Sequence, residues 1–315
     1  MRLLILGGTV FLGRHAVDAA LRRGHTVTIY TRGRHGSAPE GVEHVIGDRA
    51  DLAPLQGRAW DAAIDTSGYD PAQVAASAAL DVGHYVFVSS CNAYPDWPDK
   101  PVDEDSPTWT EGEGYGPEKA AAERHVLPDG AVVRAGLIVG PHDNIFRLPW
   151  WVRRIAEGGE VPAPGEESRP LQVIDARDLA DWLVRLAEER TSGAFNGTAP
   201  VGQTTMGELL QSAVVATGSD AALRWIPEAK LEQAGVEPWM ELPLWLPARH
   251  LGTWDVGTDK AQAAGLRTRP VAETVADIWK WLQAGGEAEL DDWRSEHRPS
   301  RMSHEREDAL IRLLC

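Results

Sequence analysis

Leu3-Leu4-Ile5-Leu6-Gly7-Gly8-Thr9-Val10-Phe11-Leu12-Gly13, near the start of the chain, decides how the rest is read. The unbroken apolar run Leu3–Leu6 reads as a strand covered on both faces, because a half-exposed strand would alternate apolar with polar. Gly7 and Gly8 let the backbone turn tightly. From Phe11 to Arg23 the spacing of Ala16, Val17, Ala20 and Leu21 predicts a helix, with Gly24 as its stop. Strand, glycine turn and helix together aim free backbone N–H groups and a positive dipole end at one point, which suits a pyrophosphate. Gly7, Gly8, Thr9, Val10, Phe11, Leu12 and Gly13 are therefore candidate dinucleotide-binding residues.

The pattern continues outward. Thr26–Tyr30, His44–Ile46, Ala62–Ile64, Tyr85–Ser89 and Ala131–Val139 read as further strands, with helices over Pro71–Leu80 and Tyr115–His125. Leu171–Ile174 reads as one more strand and Asp178–Glu189 as an amphipathic helix. This alternation predicts an α/β fold, a Rossmann-type doubly wound parallel sheet, with a smaller C-terminal substrate-binding lobe. The expected division is a dinucleotide-binding domain over 1–143 and 171–198, and a lobe over 144–170 and 199–284. A charged tail over 285–315 carries a short helix opening at Ser303. Ten of the 13 Trp lie beyond residue 143, which puts Trp150, Trp151 and the Leu242–Pro247 stretch forward as the border of an apolar substrate site.

Composition narrows the function. The 315 residues carry a formal charge of −16 and are 43% hydrophobic, an ordinary globular balance. No apolar run approaches the ~20 residues of a membrane helix, and the opening lacks a cleavage site for a signal peptide. Cys91 and Cys315 are too few for a disulfide framework or zinc cage, so a cytoplasmic setting is expected. The acidity disfavours nucleic acid and anionic membranes as partners and leaves a small-molecule substrate. The 10 His show no metal-ligand spacing, so no metal is expected.

Cofactor choice is read at the end of the second strand. Thr31-Arg32-Gly33-Arg34 offers two guanidinium groups where a carboxylate would hold a ribose 2′-hydroxyl, favouring NADP, with NAD second. Asp48, with Arg49 beside it, is placed to meet the adenine. Thr66, Ser67 and Gly68 follow the fourth strand, along the edge where the cofactor runs. The acid–base candidates are Ser90, Tyr115 and Lys119. Tyr115 and Lys119 are four apart and share a helix face. An ammonium there stabilises the phenolate, lowering the phenol from its ordinary ~10. Ser90 would polarise the substrate oxygen.

Taken together, GGTVFLG, GDR, VSSCNAY, YGPEK, RAGLIVGP and DARDLA resemble the extended short-chain dehydrogenase/reductase family, the NAD(P)-dependent epimerase/dehydratase group. The resemblance implies catalytic roles for Ser90, Tyr115 and Lys119, with Lys119 also gripping the nicotinamide ribose. It implies that Pro141 borders the nicotinamide and that the protein forms a homodimer; Cys91 and Asn92, directly after Ser90, are candidate substrate-pocket residues. Val10 stands where the family usually has its middle glycine. Arg169 lies two positions before the place, here Leu171, where nucleotide-sugar epimerases often carry an Arg. The expected function is an NADP-dependent oxidoreductase acting on a carbonyl or alcohol, with Tyr115 as acid/base. A sugar epimerase or dehydratase that recycles its hydride is the alternative. A GGTxFxGR-like start also resembles the chloroplast RNA-binding branch, the basis of a third, non-catalytic reading.

Overall fold

The computed structural model describes residues 1–290, 297–300 and 302–314. Its first half runs β1 (Arg2–Leu6), α1 (Phe11–Arg22), β2 (Thr26–Thr31), β3 (Glu43–Ile46), β4 (Ala62–Asp65), α2 (Pro71–Ala78), β5 (Tyr85–Ser90), α3 (Tyr115–Glu123) and β6 (Ala131–Ala135). Next come β7 (Leu137–Val139), α4 (Arg147–Ala156), β8 (Glu160–Pro164), β9 (Pro170–Leu171), β10 (Val173–Asp175), α5 (Ala176–Glu189) and β11 (Gly193–Gly197). The last elements are β12 (Thr204–Thr205), α6 (Met206–Thr217), β13 (Ala222–Ile226), α7 (Glu228–Gln233), α8 (Asp259–Ala263), α9 (Val271–Gln283) and α10 (His304–Ile311).

Seven strands form one parallel sheet in the order β11-β6-β5-β4-β1-β2-β3. The order reverses between β1 and β4, and ligands of such sheets bind beyond the strand ends at that switch. Alternate residues feed the two faces. Leu3, Ile5, Ile29, Ile64, Val86 and Val133 pack with Ala16, Val17, Leu179 and Leu183. Leu4, Leu6, Tyr30, Ala63 and Phe87 pack with Val74, Ala122 and Val126 on the other face.

Three strand expectations are corrected. The seventh sheet strand is β11, Gly-Ala-Phe-Asn-Gly, whose two glycines and Asn mask any strand pattern. The run Ala131–Val139 divides at Gly136, where an added Cβ would stand 2.8 Å from the Thr198 side chain. Leu171–Ile174 divides into β9, which pairs with β12, and β10, which pairs with β7. Helix α5 starts at Ala176 rather than Asp178, because the Asp175 carboxylate caps it by accepting from the Arg177 backbone N–H.

The chain divides into two compact units. The first comprises Met1–Ile138, Val173–Pro200 and Asp255–Thr268, so 255–268 joins the sheet domain rather than the lobe. The second comprises Val139–Gln172, Val201–Trp254 and Arg269–Cys315. In it α4, α6 and α9 pack together and β8 pairs with β13. Ser303 caps α10 by accepting from the Arg306 N–H. Glu307 on α10 forms a buried bidentate pair with Arg154 of α4, both bonds 2.7 Å, so this helix is docked within its unit. Residues 291–296, Arg301 and Cys315, which the tail reading included, lie outside the described residues.

Candidate active site

The glycine turn is a cradle that side chains would fill. Gly7 and Gly8 have φ of 106° and 112°, a region L side chains avoid. A Cβ on Gly7 would stand 2.5 Å from Thr66 Oγ1, and one on Gly13 would stand 2.6 Å from the Gly8 nitrogen. Val10 caps α1 with extended backbone (φ −127°), so this position needs no glycine. Neither a side-chain cap nor a first-turn carboxylate satisfies the N-terminal N–H groups of α1, which leaves its positive end for an anion. Thr9 and Phe11 are half-buried. Leu12 belongs to the core, so only its backbone is offered.

The loop after β2 closes on this turn. A Cβ on Gly36 would stand 2.6 Å from the Thr9 carbonyl oxygen. Thr31 Oγ1 accepts from the Gly33 N–H and lies 2.8 Å from His44 Nε2. Arg32 and Arg34 are exposed, and among the described residues neither guanidinium meets a carboxylate. Asp48 is exposed, its Oδ1 accepting from the Ala50 N–H. Arg49 corrects the expectation. Its guanidinium does not stand open to a ligand; it donates to both oxygens of buried Asp65, at 2.6 and 2.9 Å, and to Ser67 and Ser77.

Thr66, Ser67 and Gly68 continue from β4. The Thr66 hydroxyl donates to the Leu6 carbonyl, holding this turn beside the glycine cradle. The Gly68 carbonyl accepts from Lys119 Nζ at 2.7 Å, and the Val88 carbonyl accepts from the same ammonium at 3.0 Å. Lys119 is 3% exposed. Its Nζ lies 5.8 Å from the Tyr115 ring centroid, so the two side chains share one side of α3, as their spacing predicts. Sequence reading missed two further rings about this ammonium, Tyr69 at 5.0 Å and Phe87 at 4.8 Å. The one signal for Tyr69 is its place directly after the Thr66–Gly68 turn. Tyr115 and Tyr69 are both exposed, with centroids 6.3 Å apart. Ser90, at the end of β5, accepts from the Asn92 N–H and side-chain amide. Both bonds use its lone pairs, so its own O–H remains for a substrate oxygen.

Behind the site lies a buried polar network. The Glu123 carboxylate accepts from Ser89 Oγ and from Arg134 Nε and Nη2. Arg134 Nη1 also donates to the Tyr94 hydroxyl, which donates to Asn196. The network ties β5 to α3, the two elements that carry Ser90 and Tyr115.

Three substrate expectations fail on burial. Cys91 is fully buried among Tyr94, Val102 and Val256, and burial pushes its thiol up to about 12, so it is neither a nucleophile nor a pocket-lining group. Trp150 and Trp151 are core residues of the second unit. Trp151 Nε1 donates to the Pro243 carbonyl and Trp150 Nε1 to that of Ser300. Leu242, Leu244 and Trp245 are buried too. Asn92 remains partly exposed, its carbonyl accepting from Trp109. Pro141, beside Gly140 (φ 140°), is buried in the second unit. Among the described residues no group of His, Cys, Asp or Glu is arranged to hold a metal, and no helix is long and apolar enough to cross a membrane.

Comparisons with known proteins find chains of similar sequence and structures of similar fold. A chloroplast stem-loop binding protein of 41 kDa b from Arabidopsis thaliana is 25% identical over 215 residues, 61% of this chain and 56% of that protein. The match thus spans little more than half of the relative. The Bordetella bronchiseptica enzyme WbmH in complex with NAD+ superposes with a TM-score of 0.65 at 20% identity, over 90% of this chain and 99% of that one. The human epimerase family protein SDR39U1 with NADPH gives 0.60 at 22%, over 89% and 99%. Residues 72–202, which include β5, Tyr115, Lys119 and the Glu123–Arg134 network, match the model of the NAD dependent epimerase/dehydratase family, within a chain whose central sheet is the seven-stranded α/β fold described above.

Proposed function

We propose that this protein is an NADP-dependent oxidoreductase that moves a hydride between the nicotinamide and a carbonyl or alcohol carbon of a small molecule. The observation that carries this reading is the seat of Lys119. A buried ammonium is held by two carbonyls beside the switch point of the sheet, next to the exposed Tyr115 ring. The residues fit the cofactor: the Gly7–Gly13 cradle and the uncapped end of α1 suit a pyrophosphate. Arg32 and Arg34, without carboxylate partners among the described residues, suit a 2′-phosphate. When bound, NADP supplies the hydride donor or acceptor. Ser90 donates its O–H to the substrate oxygen and orients it. Tyr115 Oη gives that oxygen a proton, or takes it in the reverse direction. Lys119 favours the phenolate form and makes the proton mobile near neutral pH.

Internal hydride recycling, as in an epimerase or dehydratase, is the second reading, and the family description favours it. Arg169 speaks against a nucleotide-sugar diphosphate as its partner. That guanidinium is buried and committed to the Glu228 carboxylate at 2.8 Å and to the Leu246 carbonyl. The test follows absorbance at the reduced-nicotinamide band during turnover of candidate carbonyls with NADPH. Stoichiometric loss of NADPH is expected; turnover with no net loss would establish the second reading instead. Tyr115→Phe is expected to lower the rate by roughly 10²–10⁴-fold, with the melting temperature unchanged because the hydroxyl sits on an exposed side chain.

A further inference from the structure

Lys119 depends on a carbonyl, and that carbonyl depends on a buried ion pair. Gly68 leaves no room for adjustment: an added Cβ would stand 2.6 Å from Val74 and 2.8 Å from both Asp65 Oδ2 and the Phe87 ring. The segment leading to it is tied at each step. Asp65 Oδ1 accepts from the Ser67 backbone N–H at 3.0 Å, and Asp65 Oδ2 from the Tyr85 hydroxyl at 2.8 Å. Arg49, arriving from the turn after β3, closes both carboxylate oxygens and also reaches Ser67 Oγ and Ser77 Oγ. Ser77 Oγ in turn lies 2.7 Å from the Tyr85 hydroxyl. The same turn carries Thr66, whose hydroxyl backs Gly7 and Gly13. One short segment therefore touches the dinucleotide cradle at one end and the ammonium of Lys119 at the other.

We propose that Arg49 and Asp65 are a positioning pair for the acid–base machinery, locking the Thr66–Gly68 turn so that the Gly68 carbonyl meets Lys119 beside Tyr115. A buried ion pair adds little net stability over an apolar pair of the same shape, so its geometry is the more informative property. Both carboxylate oxygens of the pair are satisfied. Burial pushes the Asp65 carboxyl up, but the Arg49 guanidinium, Tyr85 and the Ser67 N–H outweigh it and hold the group below its ordinary value. The inference rests on reading Lys119 as the group that tunes Tyr115.

The test needs no substrate. Phenolate absorbance is titrated in the wild type and in Tyr115→Phe, and the difference isolates Tyr115. Burial raises Tyr30, Tyr85 and Tyr94, so these phenols stay out of the lower part of the titration. Lys119→Met sets the scale, by moving the Tyr115 midpoint upward. Arg49→Lys keeps the charge but loses the fork geometry. It is expected to move the midpoint in the same direction by roughly half as much, and to weaken NADPH binding about tenfold through Thr66. Tyr85→Phe, which removes one bond to Asp65 and keeps the ring, is expected to give a smaller shift of the same sign, and it carries the test should Arg49→Lys not fold. Folded variants whose Tyr115 midpoint equals that of the wild type would overturn the positioning role while leaving the functional reading intact. A Lys119→Met midpoint equal to the wild type would overturn both.

Discussion

Arg134→Met isolates the energetics of the network behind the site. The guanidinium makes three bonds of 2.8–3.1 Å to Glu123, whose side chain is 3% exposed, and a fourth to Tyr94. Methionine fills much of the same volume, so the loss is chiefly electrostatic: one carboxylate stays buried with only Ser89 donating to it. Removing one partner of a buried pair costs about 3–5 kcal/mol. The Tyr94 hydroxyl keeps Asn196 and adds little to the loss. Glu123→Gln in the same background removes the stranded charge yet preserves an acceptor for Ser89, so the double variant should recover about 2 kcal/mol of the deficit. Urea denaturation of the three proteins, compared at matched m-values, reads these differences. A single variant within about 1 kcal/mol of the wild type, or a double variant less stable than the single, would refute the reasoning.

Three further outcomes are expected. Arg32→Ala should weaken NADP by about 10–100-fold and NAD hardly at all, since a charge-assisted bond is worth about 1.5–3 kcal/mol; fluorescence titration with both dinucleotides checks this, and equal losses would remove the 2′-phosphate assignment. In a Cys315→Ser background, Cys91 should stay unlabelled by a thiol reagent until the protein unfolds. Its thiol is raised from 9.0 to about 12 by burial, so the folded state holds the proton longer than the unfolded chain, and stability should fall as pH rises through that window. Trp151→Ala should destabilise the second unit by about 3–5 kcal/mol through cavity formation, with NADPH affinity retained; an undiminished melting temperature with a raised KM would restore the substrate-facing role.

How much was legible depended on how local the cause was. The glycine turn was readable because a tight turn and close approach select glycine whatever the rest of the chain does, and Gly7, Gly8 and Gly13 meet that demand. Tyr115 and Lys119 were readable because four residues make about one helical turn. Arg49 was misread because an Arg in a loop after a strand looks free until a carboxylate 16 residues away is folded against it. Tyr69 was missed because a lone Tyr in a turn has no pattern.

The amino-acid sequence alone determined the parallel α/β architecture, the place of the glycine turn and the sharing of one side of α3 by Tyr115 and Lys119, since periodicity and glycine stereochemistry act over a few residues. Tertiary structure decided everything that turns on which distant groups meet. It brought Gly193–Gly197 to the sheet edge, sealed Cys91, Trp150 and Trp151 in the core, and closed Arg49 on Asp65. Burial and charge compensation are properties of contacts between segments far apart in the chain, and no local pattern encodes them.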